Sequence, residues 1–139
     1  MEALHQTNFG RVVSRAESYT SLQGSVYAPG ISKDTVGSSG LFLGMVTIPP
    51  EGRTKAHIHE LHESAFYFLS GGEVELCTGE DLQHREVAHP GDYLYIPAGN
   101  AHVAVNRSKQ PAVFIGVRNE STAQESVLMC AELDSKFLE

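Results

Sequence analysis

A repeated alternation of short apolar runs and Gly/Pro turns constrains the fold more than any other feature of the chain. From Leu41 onward, apolar runs are separated by turn signals about every eight to twelve residues. No segment keeps a helical period of about 3.6 residues over three turns. This pattern predicts an all-β jelly roll. The predicted strands are residues 11–14, 41–48, 64–70, 73–76, 85–88, 93–96, 102–105, 112–117 and 126–129.

Two of these predicted strands carry further information. Residues 41–48 are almost continuously apolar before Pro49-Pro50, which is typical of a strand buried on both faces. Residues 73–76 alternate cleanly, so Val74 and Leu76 are expected to point inward and the two glutamates outward.

Length, charge and cysteine content narrow the class of protein. The chain has 139 residues, enough for one domain, and a formal net charge of -7 without a basic cluster. That charge argues against a nucleic-acid partner. Cys77 and Cys130 are too few for a secreted disulfide scaffold. Neither a signal peptide nor an apolar run of about 20 residues is visible. We expect a soluble, cytoplasmic protein that does not span a membrane.

We predict three segments. Residues 1–40 form an N-terminal arm that packs on the domain or crosses to a partner subunit, because their apolar pattern is weak and Gly-rich. Residues 41–130 form the barrel. Residues 131–139 form a C-terminal tail with room for a helical turn.

The stretch His57-Ile58-His59-Glu60-Leu61-His62-Glu63 concentrates three imidazoles and two carboxylates. On a strand, His57 and His59 point to the same face. Glu63 has the same parity, but a straight strand would place it about 13 Å beyond His59, too far to share a metal. If Glu63 joins the histidines, the chain must turn at residues 60–62. The alternative is a polar loop with an accidental histidine cluster.

A second motif lies forty residues downstream. Gly91 is followed by five residues and Pro97, and then come Gly99, His102 and Asn106. This spacing resembles the second motif of the cupins. Residues 52–71 resemble the first motif, HxHxxxE, although four rather than five residues precede His57 and seven rather than six follow Glu63. The chain therefore resembles small, single-domain cupins with an RmlC-like double-stranded β-helix, a jelly-roll barrel.

The resemblance implies that His57, His59, Glu63 and His102 bind one divalent transition metal inside the barrel. Three imidazoles and one carboxylate suit Zn, Mn, Fe, Ni, Co or Cu, and suit Ca or Mg poorly. His62 is a rim histidine in solvent, or else a replacement ligand or general acid/base above the metal.

Other side chains are candidates for roles near the metal. Tyr67 has the parity of Glu63, so it would face the interior, either as a substrate hydrogen-bond partner or as a core aromatic. Arg53 and Lys55 would hold a substrate carboxylate or phosphate at the mouth, or remain solvated loop charges. Phe66 and Phe68, expected on the opposite face from Tyr67, and Tyr93 and Tyr95 would point outward and cover a homodimer interface.

Two classes of function follow from the resemblance. The first is a metal-dependent enzyme acting on a small organic substrate, with isomerase, cyclase or lyase chemistry, or, with Fe, dioxygenase chemistry. The second is a non-catalytic cupin that binds a small molecule. The ligand set is common to both, so the sequence leaves the reaction open.

Overall fold

Twelve strands and two short helices make up the regular structure of residues 9–14, 17–122 and 126–137, which this computed structural model describes. The strands are β1 (Tyr19–Thr20), β2 (Val26–Ile31), β3 (Phe42–Ile48), β4 (Gly52–Arg53), β5 (His57–His59), β6 (Ser64–Ser70), β7 (Val74–Thr78), β8 (His84–Ala88), β9 (Tyr93–Ile96), β10 (His102–Asn106), β11 (Ala112–Arg118) and β12 (Val127–Met129). The helices are α1 (Lys33–Val36) and α2 (Ala131–Lys136).

The strands form two antiparallel sheets. The first sheet has the order β1-β2-β3-β11-β6-β9, and the second has the order β12-β5-β10-β7-β8, with β4 pairing β10. The all-β double-stranded β-helix is therefore confirmed. The sheets do not close into a continuous barrel within the described residues, because β1 and β9 remain edges of one sheet and β12 and β8 edges of the other. The barrel predicted for residues 41–130 is therefore open rather than closed.

The main core lies between the two sheets. It contains apolar side chains from both, namely Tyr27, Phe42, Val46, Ile48, Phe68, Val74, Ala88, Leu94, Ala112 and Phe114. A smaller cluster covers the outer face of the second sheet, where Val103 and Val105 pack with Phe137 after α2. The second sheet is thus buried on both faces at β10.

The outer face of the first sheet has no such cover. Along β3, Phe42, Val46 and Ile48 are buried, whereas Leu43 and Met45 are 37% and 36% exposed. The prediction that residues 41–48 are buried on both faces is therefore wrong for the isolated chain. Residues 11–14, predicted as a short strand, form none.

Part of the predicted arm belongs to the first sheet. Strands β1 and β2 lie before residue 41, and β2 pairs with β3 from Val26 to Ile31. The division into arm, barrel and tail itself stays a prediction. No disulfide joins Cys77, which is buried, to Cys130, which is half-buried. No helix among the described residues has the length and apolar character needed to cross a membrane.

Candidate metal centre

Three buried histidines converge between the sheets. His57 and His59 project from the same face of β5, and the antiparallel register places His102 of β10 directly opposite His57. The three side chains are at most 5% exposed. One ring nitrogen from each lies within 4.8 Å of the others. The structure therefore brings together, from sequence-distant strands, three of the four residues that the two motifs indicated as metal ligands.

Backbone carbonyls fix the tautomers of two of these rings. The Nδ1 of His57 is 2.6 Å from the carbonyl oxygen of Lys55, and the Nδ1 of His102 is 3.0 Å from that of Asn100. A carbonyl oxygen only accepts, so each Nδ1 carries the hydrogen and each Nε2 keeps its lone pair. The Nδ1 of His59 makes no hydrogen bond with any described residue.

Burial keeps all three imidazoles neutral. It lowers the pKa of His57 to about 4. Burial, with the nearby Arg118 guanidinium adding to it, lowers the pKa of His59 to about 2. Burial also lowers the pKa of His102 well below its ordinary value. Neutral imidazoles are the form that binds a metal, so ligation costs no deprotonation near neutral pH.

A cavity adjoins the three rings. The space inside it that a water-sized molecule can reach is about 50 Å³. Most of the lining is apolar, with Val46, Ile48, Phe66 and Phe114 among its residues. The polar lining residues are Gln23, Ser25, Tyr27, Thr54 and the three histidines. An apolar pocket with few convergent polar groups is typical of a small-molecule site.

Glu63 is not brought to the histidines. It is exposed, and its carboxylate accepts a hydrogen bond of 2.6 Å from the hydroxyl of Tyr95. The chain does turn between β5 and β6, as predicted, but the inward side chains on β6 are Ser64, Phe66 and Phe68. The alternation of faces does not continue through a turn, so the parity argument for Glu63 fails.

The spacing of the first motif contained a signal for this shift. Seven residues separate Glu63 from Gly71, whereas the usual pattern has six. Ser64 has the usual spacing, and it is the side chain that points inward, 2% exposed. The residue at the start of β6 that faces the site is therefore a hydroxyl.

The carboxylate nearest the histidine cluster was missed by the sequence reasoning. Glu120 follows β11, is 2% exposed, and pairs with the buried Arg118 at 2.9 Å. Arg118 also donates to Ser64 Oγ and to the Tyr27 hydroxyl, each at 3.0 Å. Motif spacing gives no signal for Glu120, because this residue lies outside both motifs.

His62 contacts the same buried carboxylate. Its Nδ1 is 3.1 Å from Glu120 Oε1 and 2.8 Å from Ser126 Oγ, and its side chain is 17% exposed. It is therefore neither a freely solvated rim residue nor a member of the three-histidine cluster.

The other three candidates lie away from the cluster. Tyr67 faces outward, with its ring 5.1 Å from that of Tyr93, because the turn shifts the phase of β6. Arg53 pairs with Asp134 of α2 at 2.7 Å. Lys55 is exposed, and its carbonyl rather than its charge serves the site.

The second motif supports the centre through its backbone. The amide of Gly99, at φ 75°, donates to the carbonyl of His59 at 2.9 Å. That conformation suits glycine, so the residue holds β5 in place. Asn106 is fully buried, and its amide donates to the carbonyls of Ile48, Pro49 and Gln110. Gly99 and Asn106 therefore stabilise the backbone around the centre rather than take part in its chemistry.

The donor set fits a transition metal. One nitrogen from each of the three buried imidazoles lies within 4.8 Å of the others, carbonyls hold two of the Nδ1 atoms, and histidine nitrogen suits Zn, Cu, Fe and Ni. The three histidines could therefore bind one metal ion, whose identity the donor set does not determine.

A two-sheet β-helix with inward histidines from both motifs defines a recognisable class of protein. The family model Cupin_2, described as the cupin domain, matches residues 44–118. The chain belongs to the cupin family.

Relatives of known activity share parts of the chain or its fold. It is 33% identical over 66 residues to a quercetin 2,3-dioxygenase of Bacillus subtilis (strain 168), an alignment covering 47% of this chain and 18% of that protein. The polyketide cyclase RemF from Streptomyces resistomycificus aligns with a TM-score of 0.65 and 22% identity, covering 85% of this chain and 89% of that one. The Lactobacillus farciminis oxalate decarboxylase aligns with a TM-score of 0.69 and 18% identity, and the alignment covers 84% of this chain and 34% of that one.

Proposed function

We propose that this cupin is a metal-dependent enzyme in which His57, His59 and His102 hold one divalent transition metal beside a small-molecule cavity. The convergence of three neutral, buried imidazoles on that cavity carries the proposal. An unpaired polar cluster inside an apolar core is costly, and a shared cation offsets that cost. The candidates for the metal are Zn, Mn, Fe, Ni, Co and Cu.

The metal would supply Lewis-acid polarisation of a substrate oxygen, because three protein ligands leave coordination positions open. The residues of the chain position the substrate and exclude water from it. Apolar side chains such as Ile48 and Phe66 favour a compact organic molecule, and Gln23 and Thr54 are polar residues of the cavity wall. Isomerase, cyclase or lyase chemistry fits this arrangement, and the fold shared with the polyketide cyclase RemF is compatible with it.

Dioxygenase chemistry with Fe is a second candidate. It is favoured by the 33% identity to the Bacillus subtilis quercetin 2,3-dioxygenase, although the alignment spans only 18% of that protein. The two candidates differ in their need for oxygen. Substrate loss that proceeds at the same rate without oxygen supports isomerase, cyclase or lyase chemistry, and loss that stops without oxygen supports the dioxygenase.

The metal itself is tested by elemental analysis after reconstitution of chelator-treated protein with each candidate ion. The wild type should retain about one ion per chain, and His102→Ala should retain little. His84→Ala is the matched control, because His84 is an exposed histidine paired with Glu86 on the outer strand β8. A wild type that retains none of the six ions, or a His102→Ala variant that retains its ion, would contradict the proposal.

We further propose a homodimer built on the outer face of the first sheet. The strand register aligns two rows of outward side chains across this face. The rows are Leu43, Val117, Ala65 and Tyr95, and Met45, Ile115, Tyr67 and Tyr93. Tyr93 is 82% exposed and Tyr95 58%. A contiguous apolar face of this kind is typical of an interface between two copies. Light scattering at tens of micromolar should give the dimer mass, and a monomer mass would contradict it.

A further inference from the structure

His59 differs from its two neighbours in what holds its ring. His57 and His102 donate Nδ1–H to backbone carbonyls, whereas the Nδ1 of His59 is buried without a hydrogen bond to a described residue. Metal-ligating histidines almost always donate the second ring N–H to a carbonyl, a carboxylate or water. One acceptor is therefore missing from an otherwise complete set.

A carboxylate is positioned to supply that acceptor. Glu120 Oε2 lies 3.8 Å from the Nδ1 of His59, with both side chains at most 3% exposed. This distance is beyond a hydrogen bond, which for such a charged pair would be about 2.8 Å. A shift of about 1 Å would close the gap, which lies within the reach of a side-chain rotation.

Neighbouring side chains orient the carboxylate of Glu120. Arg118 Nη1 binds Oε2 at 2.9 Å. The hydroxyl of Ser126 donates to Oε1 at 3.4 Å, and His62 Nδ1 is 3.1 Å from the same oxygen. Arg118 is itself anchored by Ser64 and Tyr27. Arg118 thus holds Oε2 while Ser126 and His62 contact Oε1, and Oε2 is the oxygen that lies 3.8 Å from His59 Nδ1.

We propose that Glu120 accepts the Nδ1–H of His59 when the metal is bound, and so acts as the positioning residue that orients the third ligand. The inference rests on the proposed metal function. A carboxylate acceptor raises the basicity of the imidazole more than a carbonyl does. His59 would then be the strongest of the three donors, and its strength would depend on a residue outside both sequence motifs.

The first test is the affinity of the metal-free protein for Zn²⁺, measured by titration in competition with a chelator. Glu120→Gln should weaken binding by about 10- to 100-fold, the usual effect of losing a partner behind a ligand. Glu63→Gln, which alters the exposed carboxylate of the first motif, should leave the affinity unchanged. Equal affinities of the wild type and Glu120→Gln overturn the inference while leaving the metal site intact. A wild type that binds neither Zn²⁺ nor any of the other five candidate ions overturns the proposed function, and the inference with it.

The second test does not depend on whether Glu120→Gln folds well without its charge toward Arg118. Long-range proton–nitrogen NMR spectra of the Zn²⁺-loaded wild type report which ring nitrogen of each histidine carries a hydrogen. We expect His59 to show a protected Nδ1–H shifted downfield, with the metal on Nε2. A His59 ring bound through Nδ1, or a Nδ1–H that exchanges as freely as that of the exposed His84, overturns the inference.

Discussion

Two glutamates near the histidine cluster, Glu63 and Glu120, lie in very different surroundings. Glu63 lies at the turn after β5, exposed and bonded to Tyr95, although the motif spacing favoured it as a ligand. Glu120 lies after β11, outside both motifs, yet it is buried beside His59, His62 and Arg118. Residue spacing therefore predicts which side chains share a face within one strand, but it does not predict which way a side chain points after a turn.

The largest expected effect on stability concerns the buried glutamate, Glu120, and comes from removing its partner Arg118. Arg118→Met leaves Glu120 as an uncompensated buried charge, which typically costs about 3–5 kcal/mol of unfolding free energy. Denaturant unfolding of the metal-free protein measures it. Arg107→Met is the control, since Arg107 is 52% exposed and Glu75 keeps Arg85 as a second partner, so losing this pair should cost under about 1 kcal/mol. Similar losses in both variants would mean that Glu120 is not buried as described.

Acid should destabilise the metal-free protein through the histidine cluster. The pKa of His57 is about 4 when folded against 6.5 unfolded, so between these values the unfolded chain binds a proton that the folded chain excludes. The unfolding free energy therefore falls as pH falls, by about 1.4 kcal/mol per pH unit for each such histidine. Urea unfolding from pH 7 to pH 4 measures the slope. His57→Gln should reduce it, and His84→Gln should not.

Metal removal should have a moderate effect. A ligand that binds only the folded form adds about 2.7 kcal/mol at a hundred times its Kd. Two of the histidines lie on β5 and the third on the sequence-distant strand β10, so the unfolded chain does not present all three together. Chelation should lower the thermal midpoint by roughly 5–10 °C without unfolding the two-sheet core. Scanning calorimetry with and without a chelator checks this. An unchanged midpoint would indicate that the site holds no metal.

The smallest effect is expected at the exposed glutamate. The hydrogen bond from Tyr95 to the Glu63 carboxylate raises the pKa of the tyrosine. Glu63→Gln should therefore lower the pKa of Tyr95 toward its ordinary value and leave the metal content unchanged. Ultraviolet titration of the tyrosines, with Tyr95→Phe as the reference, measures the shift. Loss of metal from Glu63→Gln would restore Glu63 as a ligand.

Much of the fold and part of the site were predictable from local pattern. Strand and turn periodicity predicted the sheets. The two motifs pointed to His57, His59 and His102 as metal ligands, and the structure brings these three side chains together. The turn at residues 60–62 was also predicted, but the one-residue phase shift beyond it was not, which exchanged the faces of Tyr67 and Phe66. Glu120 could not be predicted, because its position depends on the pairing of β11 with β6, where Arg118 lies opposite Ser64.

The most direct test of the three-histidine site is the X-ray absorption spectrum of the Zn²⁺-loaded protein, recorded for the wild type and for Glu63→Gln. We expect three imidazole nitrogens at about 2.0–2.1 Å from the metal in both proteins, with the two spectra superimposable. Fewer than three imidazoles in the wild type, or a carboxylate ligand that disappears in Glu63→Gln, would contradict it.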